Sequence, residues 1–186
     1  MNIHNSKNLP IVRKLIDVTT KKTAWTTINL ILVATDARPG FYDDNDRGGF
    51  SALPEAYKQI VIEFCKRFNL KLSIVKDRYL VSNSKNSISG IPLNDKEMGE
   101  FLGFPCPAED ILNAKWRKTQ YVYSLHVGTE FDPLSFITTF MCDDTSKVEE
   151  WYKKIKSKLV KIAPLFKKFT FHLVKEDMGP KYINVA

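Results

Sequence analysis

The chain has 186 residues, of which 44% are hydrophobic and 26% are charged. This length and composition predict one globular domain, 1–186, whose core stabilises the fold without disulfides or metals. No apolar run approaches the roughly 18 residues of a membrane span, and the N-terminus lacks the apolar core of a signal peptide. The sequence therefore predicts an intracellular, cytoplasmic protein that does not enter membranes, with flexible tails at 1–8 and 178–186.

The net charge is +7, from 28 Lys and Arg against 21 Asp and Glu. Only six of the basic residues are Arg. Lysine serves as a solvated point charge, whereas arginine is the usual choice for forked phosphate and base recognition. Two interpretations follow: the mutational bias of an AT-rich genome, for example a viral one, or a basic face for an acidic partner.

The three cysteines, Cys65, Cys106 and Cys142, form no CxxC pair, so the sequence supports neither a zinc knuckle nor a redox motif. We expect free thiols in a reducing compartment. Cys65 falls within a helical pattern, where packing is the expected role. Cys106 lies between two prolines in a rigid turn, where catalysis would need an adjacent base.

The elements predicted from hydrophobic periodicity and capping residues alternate along the chain. They are helix 10–20, strand 25–35, helix 53–68, strands 70–76 and 78–81, a short helix between Asn94 and Gly103, strands 120–127 and 134–142, helix 145–162 and strand 169–174. This order, α-β-α-β-β-α-β-β-α-β, predicts an α/β fold, with α+β as the alternative. We expect a single domain with a mixed β-sheet, or two apposed sheets, and helices packed outside.

The loop after the predicted strand 25–35 is the most informative stretch for function. Loops of about fifteen residues are usually functional or disordered, and ligands tend to bind beyond the carboxyl ends of strands. Asp36 and Arg38 follow the strand directly, so the sheet would hold them in place. The sequence predicts Asp36 as a catalytic residue, with helix capping as its alternative role, and Arg38 as a ligand-binding residue.

Acidic residues further along this loop suggest a divalent cation, the only cofactor that the sequence offers. Asp44, Asp46, Gly49 and Glu55 fall at positions 1, 3, 6 and 12 of the EF-hand calcium template. The match is incomplete, and a looser magnesium or phosphate site is a second possibility. The candidate metal ligands are Asp43, Asp44, Asp46 and Glu55, and the alternative is a solvated acidic loop.

Two histidines lie in similar strand-like settings, His126 two residues after Ser124 and His172 two residues after Thr170. Side chains two residues apart share one face of a strand, so neighbouring strands would place both imidazoles in one groove. Such a pair can pass protons to and from a phosphoester while hydroxyls bind its oxygens. Two-histidine phosphoesterases put the histidine before the hydroxyl residue, whereas in this chain the hydroxyl residue comes before the histidine. The alternative is two ordinary histidines of a sheet.

Helix 145–162 has an apolar seam on one side and lysines on the other. Lys154, Lys158 and Lys161 lie along the helix, and Lys167 and Lys168 follow it. This row can neutralise several phosphates of a nucleic acid. The alternative is a solvated helix face.

Three functional hypotheses remain open. The first is a non-catalytic intracellular accessory protein that acts through a surface for a protein partner, since the chain contains no GxxxxGK[ST], GxGxxG, GxSxG or HExxH motif. The second is a small hydrolase or phosphoesterase that uses His126 and His172 with the loop 36–46. The third is a nucleic-acid-binding protein that uses the C-terminal lysines.

Overall fold

The computed structural model describes residues 3–43, 49–83, 95–105, 121–133, 136–142 and 144–177. The helices are α1 (Leu9–Asp17), α2 (Ala24–Ala34), α3 (Glu55–Arg67), α4 (Asp95–Leu102) and α5 (Thr145–Ile162), with a short 3-10 helix at Ala163–Leu165. The strands are β1 (Gly40–Asp43), β2 (Leu70–Val75), β3 (Arg78–Asn83), β4 (Tyr121–Thr129), β5 (Phe136–Cys142) and β6 (Phe169–Asp177).

The fold mixes helices and strands, which confirms the predicted class. The described strands form two three-stranded sheets, sheet 1 in the order β1-β3-β2 and sheet 2 in the order β5-β4-β6. Every strand pair within them is antiparallel. A single mixed sheet is therefore wrong, and the two-sheet alternative describes the arrangement.

Segment 25–35 is the main correction, because it forms α2 and not a strand. Every residue of α2 except Trp25 is buried, so the helix lies inside the protein with no solvent-facing side. A helix that is apolar all round shows no 3.6-residue period, and a short apolar run cannot be told from a buried strand by periodicity. The strand of this region is β1 instead, a four-residue strand that lies within the predicted loop.

Hydroxyl groups fix the orientation of α2. Thr26 hydrogen-bonds the hydroxyl of Tyr79 on β3 at 2.8 Å. Its neighbour Thr27 hydrogen-bonds both Tyr57 on α3 and Thr19 after α1, each at 2.8 Å. Successive side chains on a helix point about 100° apart, so two adjacent threonines reach different partners within the core.

One hydrophobic cluster joins the two sheets. It contains side chains of α1, α2 and α3 together with Leu125 and Val127 of β4 and Ile155, Leu159 and Ile162 of α5. The helix α5 thus packs its apolar seam on the inner face of sheet 2 and towards α2, as its sequence pattern predicts.

The other predicted helices and strands are present, with shifts of a few residues at their ends. In segment 3–8, where the sequence predicts part of a flexible tail, Ile3 is buried and Nε2 of His4 lies 2.7 Å from the carbonyl oxygen of Lys161. The tail predicted at 178–186 lies outside the described residues. Across the described part of the chain, no helix combines the length and apolarity required to cross a bilayer.

The buried position of Thr27 gives a test of the helix assignment. We expect Thr27→Val to lower the free energy of unfolding by about 1–3 kcal/mol, because it removes two buried hydrogen bonds while the side-chain volume stays nearly constant. Urea denaturation measures the change. The matched control is Ser157→Ala on the exposed side of α5, which should stay within about 0.5 kcal/mol of the parent. Equal effects of the two substitutions would contradict the buried helix.

Candidate functional site

The outer face of sheet 2 carries the polar side chains that the sequence singled out. The central strand β4 buries Tyr123, Leu125 and Val127 on its inner face, where Leu125 and Val127 are wholly inaccessible. The alternate residues Ser124 and His126 point to the opposite face and are half-buried. Two-residue periodicity thus separates a hydrophobic inner face from an outer face that carries Ser124 and His126 together with the apolar Val122 and Val174.

His126 and His172 lie directly opposite each other on β4 and β6. Their rings are stacked, with centroids 5.1 Å apart and planes within 6° of parallel. His172 is exposed and His126 is half-buried. The structure therefore brings together the two histidines that the sequence pattern paired, although their catalytic role stays a prediction.

A β-bulge lies beside this pair. Leu125 pairs with Thr138 of β5 and the next residue, His126, pairs with Phe136, so one residue of β5 has no partner on β4. Bulges bend a strand and redirect its side chains, and they are frequent next to binding sites. The irregularity coincides with the one histidine of the central strand.

Hydroxyl groups surround the pair on the same face. Ser124 Oγ lies 3.0 Å from Thr139 Oγ1 of β5. Thr170 lies opposite Gly128, two positions from the histidines. A Cβ atom at Gly128 would lie 2.6 Å from Thr170 Oγ1 and 2.5 Å from the carbonyl oxygen of Pro133. Only glycine lets both groups approach the strand this closely.

Two sets of hydrogen bonds hold the residues that lead from β4 to Pro133. The hydroxyl of Thr129 accepts hydrogen bonds from the backbone N–H groups of Phe131 and Asp132. The carboxylate of Glu130 accepts from the backbone N–H groups of Lys167 and Lys168, at 3.1 and 3.3 Å. Since the Pro133 carbonyl packs over Gly128, this loop forms a wall at one end of the histidine face.

Asp36 and Arg38 lie elsewhere, beside sheet 1. Asp36 follows the end of α2 with φ at 55°, and its carboxylate accepts from Asn83 at the end of β3, at 3.5 Å. Arg38 is only 6% exposed and donates to Oδ1 of Asn29 within the core. Burial lowers the pKa of Arg38 to about 10. The prediction that Asp36 and Arg38 follow the end of a strand is wrong, because segment 25–35 is helical.

The candidate metal ligands do not converge where they are described. Asp43 is buried on β1 opposite Tyr79, where burial and then the Asp43 carboxylate raise the pKa of Tyr79. Glu55 begins α3 in solvent, and hydrogen bonds from Gln59 and Lys58 lower its pKa. Asp44 and Asp46 lie outside the described residues. Within the described ranges, no three or more His, Cys, Asp and Glu side chains form a group suited to a metal ion.

The cysteines differ from the expectation of three free thiols. Cys142 at the end of β5 is disulfide-bonded, so that expectation is wrong for this residue. Cys65 is a free and buried thiol, as its helical pattern predicts. Cys106 lies outside the described residues.

The lysines of α5 and the following turn form the second candidate surface. We use the name lysine surface for Lys153, Lys154, Lys156, Lys158, Lys161, Lys167 and Lys168. All of them are exposed except Lys158, which is half-buried. Within the described ranges, no ion pair engages their ammonium groups. Lys153 and Lys156 lie outside the single row of lysines that the sequence pattern indicates along the helix.

Exposed apolar side chains bear on the hypothesis of a protein partner. Ile74 and Val75 end the edge strand β2 and are 49% and 40% exposed. Ile62 lies on α3 and Val160 on α5, so these four residues belong to three separate elements. The protein-partner hypothesis stays a prediction.

No protein-family model, curated protein or solved structure matches the chain.

Gly128 gives a test of the wall beside the histidines. We expect Gly128→Ala to lower the free energy of unfolding by about 1–3 kcal/mol, because the added methyl group must displace the Pro133 carbonyl. Thermal or urea denaturation measures the loss. Ser124→Ala, four residues away along β4 on the same face, adds no atoms and should stay within about 0.5 kcal/mol of the parent. A neutral Gly128→Ala would mean that the loop does not pack on β4.

Cys65 gives a second test. Burial raises the pKa of its thiol to about 12, so the thiolate is almost absent at neutral pH. We expect the native protein to protect Cys65 from a thiol reagent at about pH 8, and full reaction once the protein is denatured. Cys65→Ser supplies the background from the other cysteines. Rapid labelling of Cys65 in the native state would contradict its burial against the core.

Proposed function

We propose that the protein is a non-catalytic binding protein whose lysine surface binds the phosphate backbone of nucleic acids. The observation that carries this proposal is the distribution of charge. Segment 145–168 contains eight lysines and two glutamates, a net charge of +6, whereas the other 162 residues contribute only +1 of the total of +7. A mutational bias towards lysine accounts for many lysines, but it does not concentrate the net charge in one segment.

The scaffold holds these lysines on a rigid element. Val148, Ile155, Leu159 and Ile162 are buried along one side of α5. At the other end of the helix, the Asp144 side chain caps the first turn by accepting from the N–H groups of Ser146 and Lys147. A helix fixed in this way presents its outer side chains over roughly 27 Å, at 1.5 Å per residue.

Besides the buried residues and the Asp144 cap, Trp151 anchors the helix. The indole N–H of Trp151 donates to the carbonyl oxygen of Gly103 at 2.8 Å, and its ring packs edge-on against Phe140 of β5. Trp151 and Tyr152 are both half-buried, so neither offers an open ring face beside the lysines. Stacking on bases, the usual device of proteins that bind single strands, is therefore not supported on α5.

Lysine in place of arginine decides the kind of recognition. An ammonium group binds phosphate as a point charge, without the forked geometry that reads guanine or grips one phosphate. Backbone contacts of this kind position a protein but carry no sequence information. The proposed activity is accordingly binding to a nucleic-acid backbone with little dependence on sequence and strong dependence on salt.

The test measures binding to a labelled duplex of about 20 base pairs, which is longer than the roughly eight that α5 can span. Each phosphate neutralised contributes about −0.9 to the slope of log K against log salt concentration. Three to four contacts give a slope near −3, and thus a loss of about 60-fold in affinity between about 50 and 200 mM salt. Fluorescence anisotropy at several salt concentrations gives both quantities.

Matched variants locate the surface. We expect the triple variant Lys154→Gln, Lys158→Gln, Lys161→Gln to reduce the magnitude of the salt slope by about 2–3 units. The control is Lys7→Gln, Lys21→Gln, Lys22→Gln, which removes the same charge from exposed lysines at the other end of the chain and should change the slope much less. Binding that is absent, indifferent to salt or equally weakened by both triples would reject the proposal. Absence of binding would favour the protein-partner hypothesis.

A further inference from the structure

We propose that the C-terminal half of α5, residues 153–162, enters the major groove of B-form DNA, and that lysines on both of its sides bind the two phosphate backbones bordering that groove. This inference rests on the proposed binding of nucleic acids. It goes further by naming the substrate class, double-stranded DNA, and by assigning a role to lysines on both sides of the helix.

The basic charge of α5 is confined to this half. Glu149 and Glu150 lie in the first half of the helix, where Lys147 is paired with Asp144 at 3.7 Å. From 151 to 168 the sequence contains seven lysines and no acidic residue. The part of the helix that carries net positive charge is therefore about 15 Å long, at about 1.5 Å per residue.

Lysines flank Ser157 on both sides. Four buried residues mark the side of α5 that faces the core, and Ser157 points almost directly away from them, at about 100° per residue. Lys153 and Lys161, each four residues from Ser157, lie about 40° to either side of it. Lys156 and Lys158, its immediate neighbours, lie about 100° to either side. We use the name first flank for Lys153 and Lys156, and second flank for Lys154, Lys158 and Lys161.

The crest between the two flanks, Ser157 and Val160, is short and uncharged. The hydroxyl of Ser157 turns back along the helix and donates to the carbonyl oxygen of Lys154 at 2.7 Å. Val160 is 55% exposed and lies about 60° from Ser157. An exposed valine gains nothing from water, whereas within a major groove it can contact the methyl group of thymine. A short crest lets the helix approach the base edges while the flanks extend towards the backbones.

The dimensions of the helix select the groove. A helix with its side chains is about 10–12 Å across, which matches a major groove of about 12 Å and exceeds a minor groove of about 6 Å. In the major groove, each flank of the helix faces one of the two backbones. Neither crest residue offers a forked pair of hydrogen bonds to a base, so entry into the groove is compatible with weak dependence on sequence.

The two flanks also separate double-stranded DNA from other nucleic acids. The major groove of an A-form RNA duplex is deep and narrow, so an RNA duplex leaves only one flank in contact. A single strand has one backbone, and α5 offers no open ring face on which its bases could stack. A B-form duplex is therefore the ligand that engages both flanks at once.

The experiment compares three duplexes of about 20 base pairs at one salt concentration by fluorescence anisotropy. The first is DNA, and the second is RNA of the same sequence. The third is the same DNA with a bulky uncharged group at C5 of each thymine, a position that lies in the major groove. We expect the unmodified DNA to bind about tenfold more tightly than either of the others, because only its major groove admits the helix.

Two variants test the flanks and the crest. We expect Lys153→Gln, Lys156→Gln to reduce the magnitude of the salt slope on unmodified DNA by about one unit, because the first flank reaches its own backbone. Ser157→Phe enlarges the crest without a change of charge, and it should weaken binding to that duplex about fivefold or more. The control Ala56→Phe adds the same ring at an exposed position of α3 and should leave the affinity unchanged.

Failure of this inference can be told from failure of the proposed function. Salt-dependent binding with equal affinity for all three duplexes would overturn entry into the groove and leave binding to a backbone in place. The same holds if neither the first-flank variant nor Ser157→Phe alters binding to unmodified DNA. Absence of binding to every duplex would overturn both proposals. The comparison of duplexes uses the unaltered protein, so it decides the question even where a variant is unstable.

Discussion

The burial of α2, in which every residue but Trp25 is buried, is the constraint on which the rest of the fold depends. This helix has no face towards solvent, so its sides must be covered by α1, α3, sheet 1 and α5. Its few polar groups are therefore paired inside the core, with Thr26 and Thr27 bound to the hydroxyls of Tyr79 and Tyr57. Unpaired, such groups would cost about 1–3 kcal/mol each.

Sheet 2 turns one face of β4 to the core and carries Ser124 and His126 on the other. Because α5 and the core cover its inner face, the outer face can carry histidines and hydroxyls without a loss of core packing. The proposed lysine surface is separate from the core: its side chains lie on the outer side of α5 and the following turn, and the buried stripe of α5 holds that helix in place.

The sequence predicted helices and strands well where one face of the element is buried and the other is exposed to solvent. The helix at 145–162 and the strands around Leu125 and Leu173 show clear periods, and the two-residue period placed His126 and His172 on matching faces. Sequence could not show that β4 and β6 are neighbours, because strand pairing is a long-range property. It also failed at 25–35, where burial on all sides removes the period that separates helix from strand.

The candidate residues of the first loop failed for the same reason. Asp36 and Arg38 were selected because a strand was expected to end beside them, and the helix α2 places them next to sheet 1 instead. Gly128 was overlooked, although a glycine inside a strand is a recognised sign of a close backbone approach. The net charge of segment 145–168 is visible in the sequence only when the charged residues are counted segment by segment. A count over the whole chain does not reveal it.

The bridge from Glu130 to the backbone of Lys167 and Lys168 has a consequence for genetics. One carboxylate fastens the loop beside the two histidines to the turn that ends the lysine surface. Displacement of Glu130 disturbs the loop beside the histidines and the basic turn together. A phenotype that maps to residues 129–133 therefore cannot be assigned to either surface without a second substitution that affects only one of them.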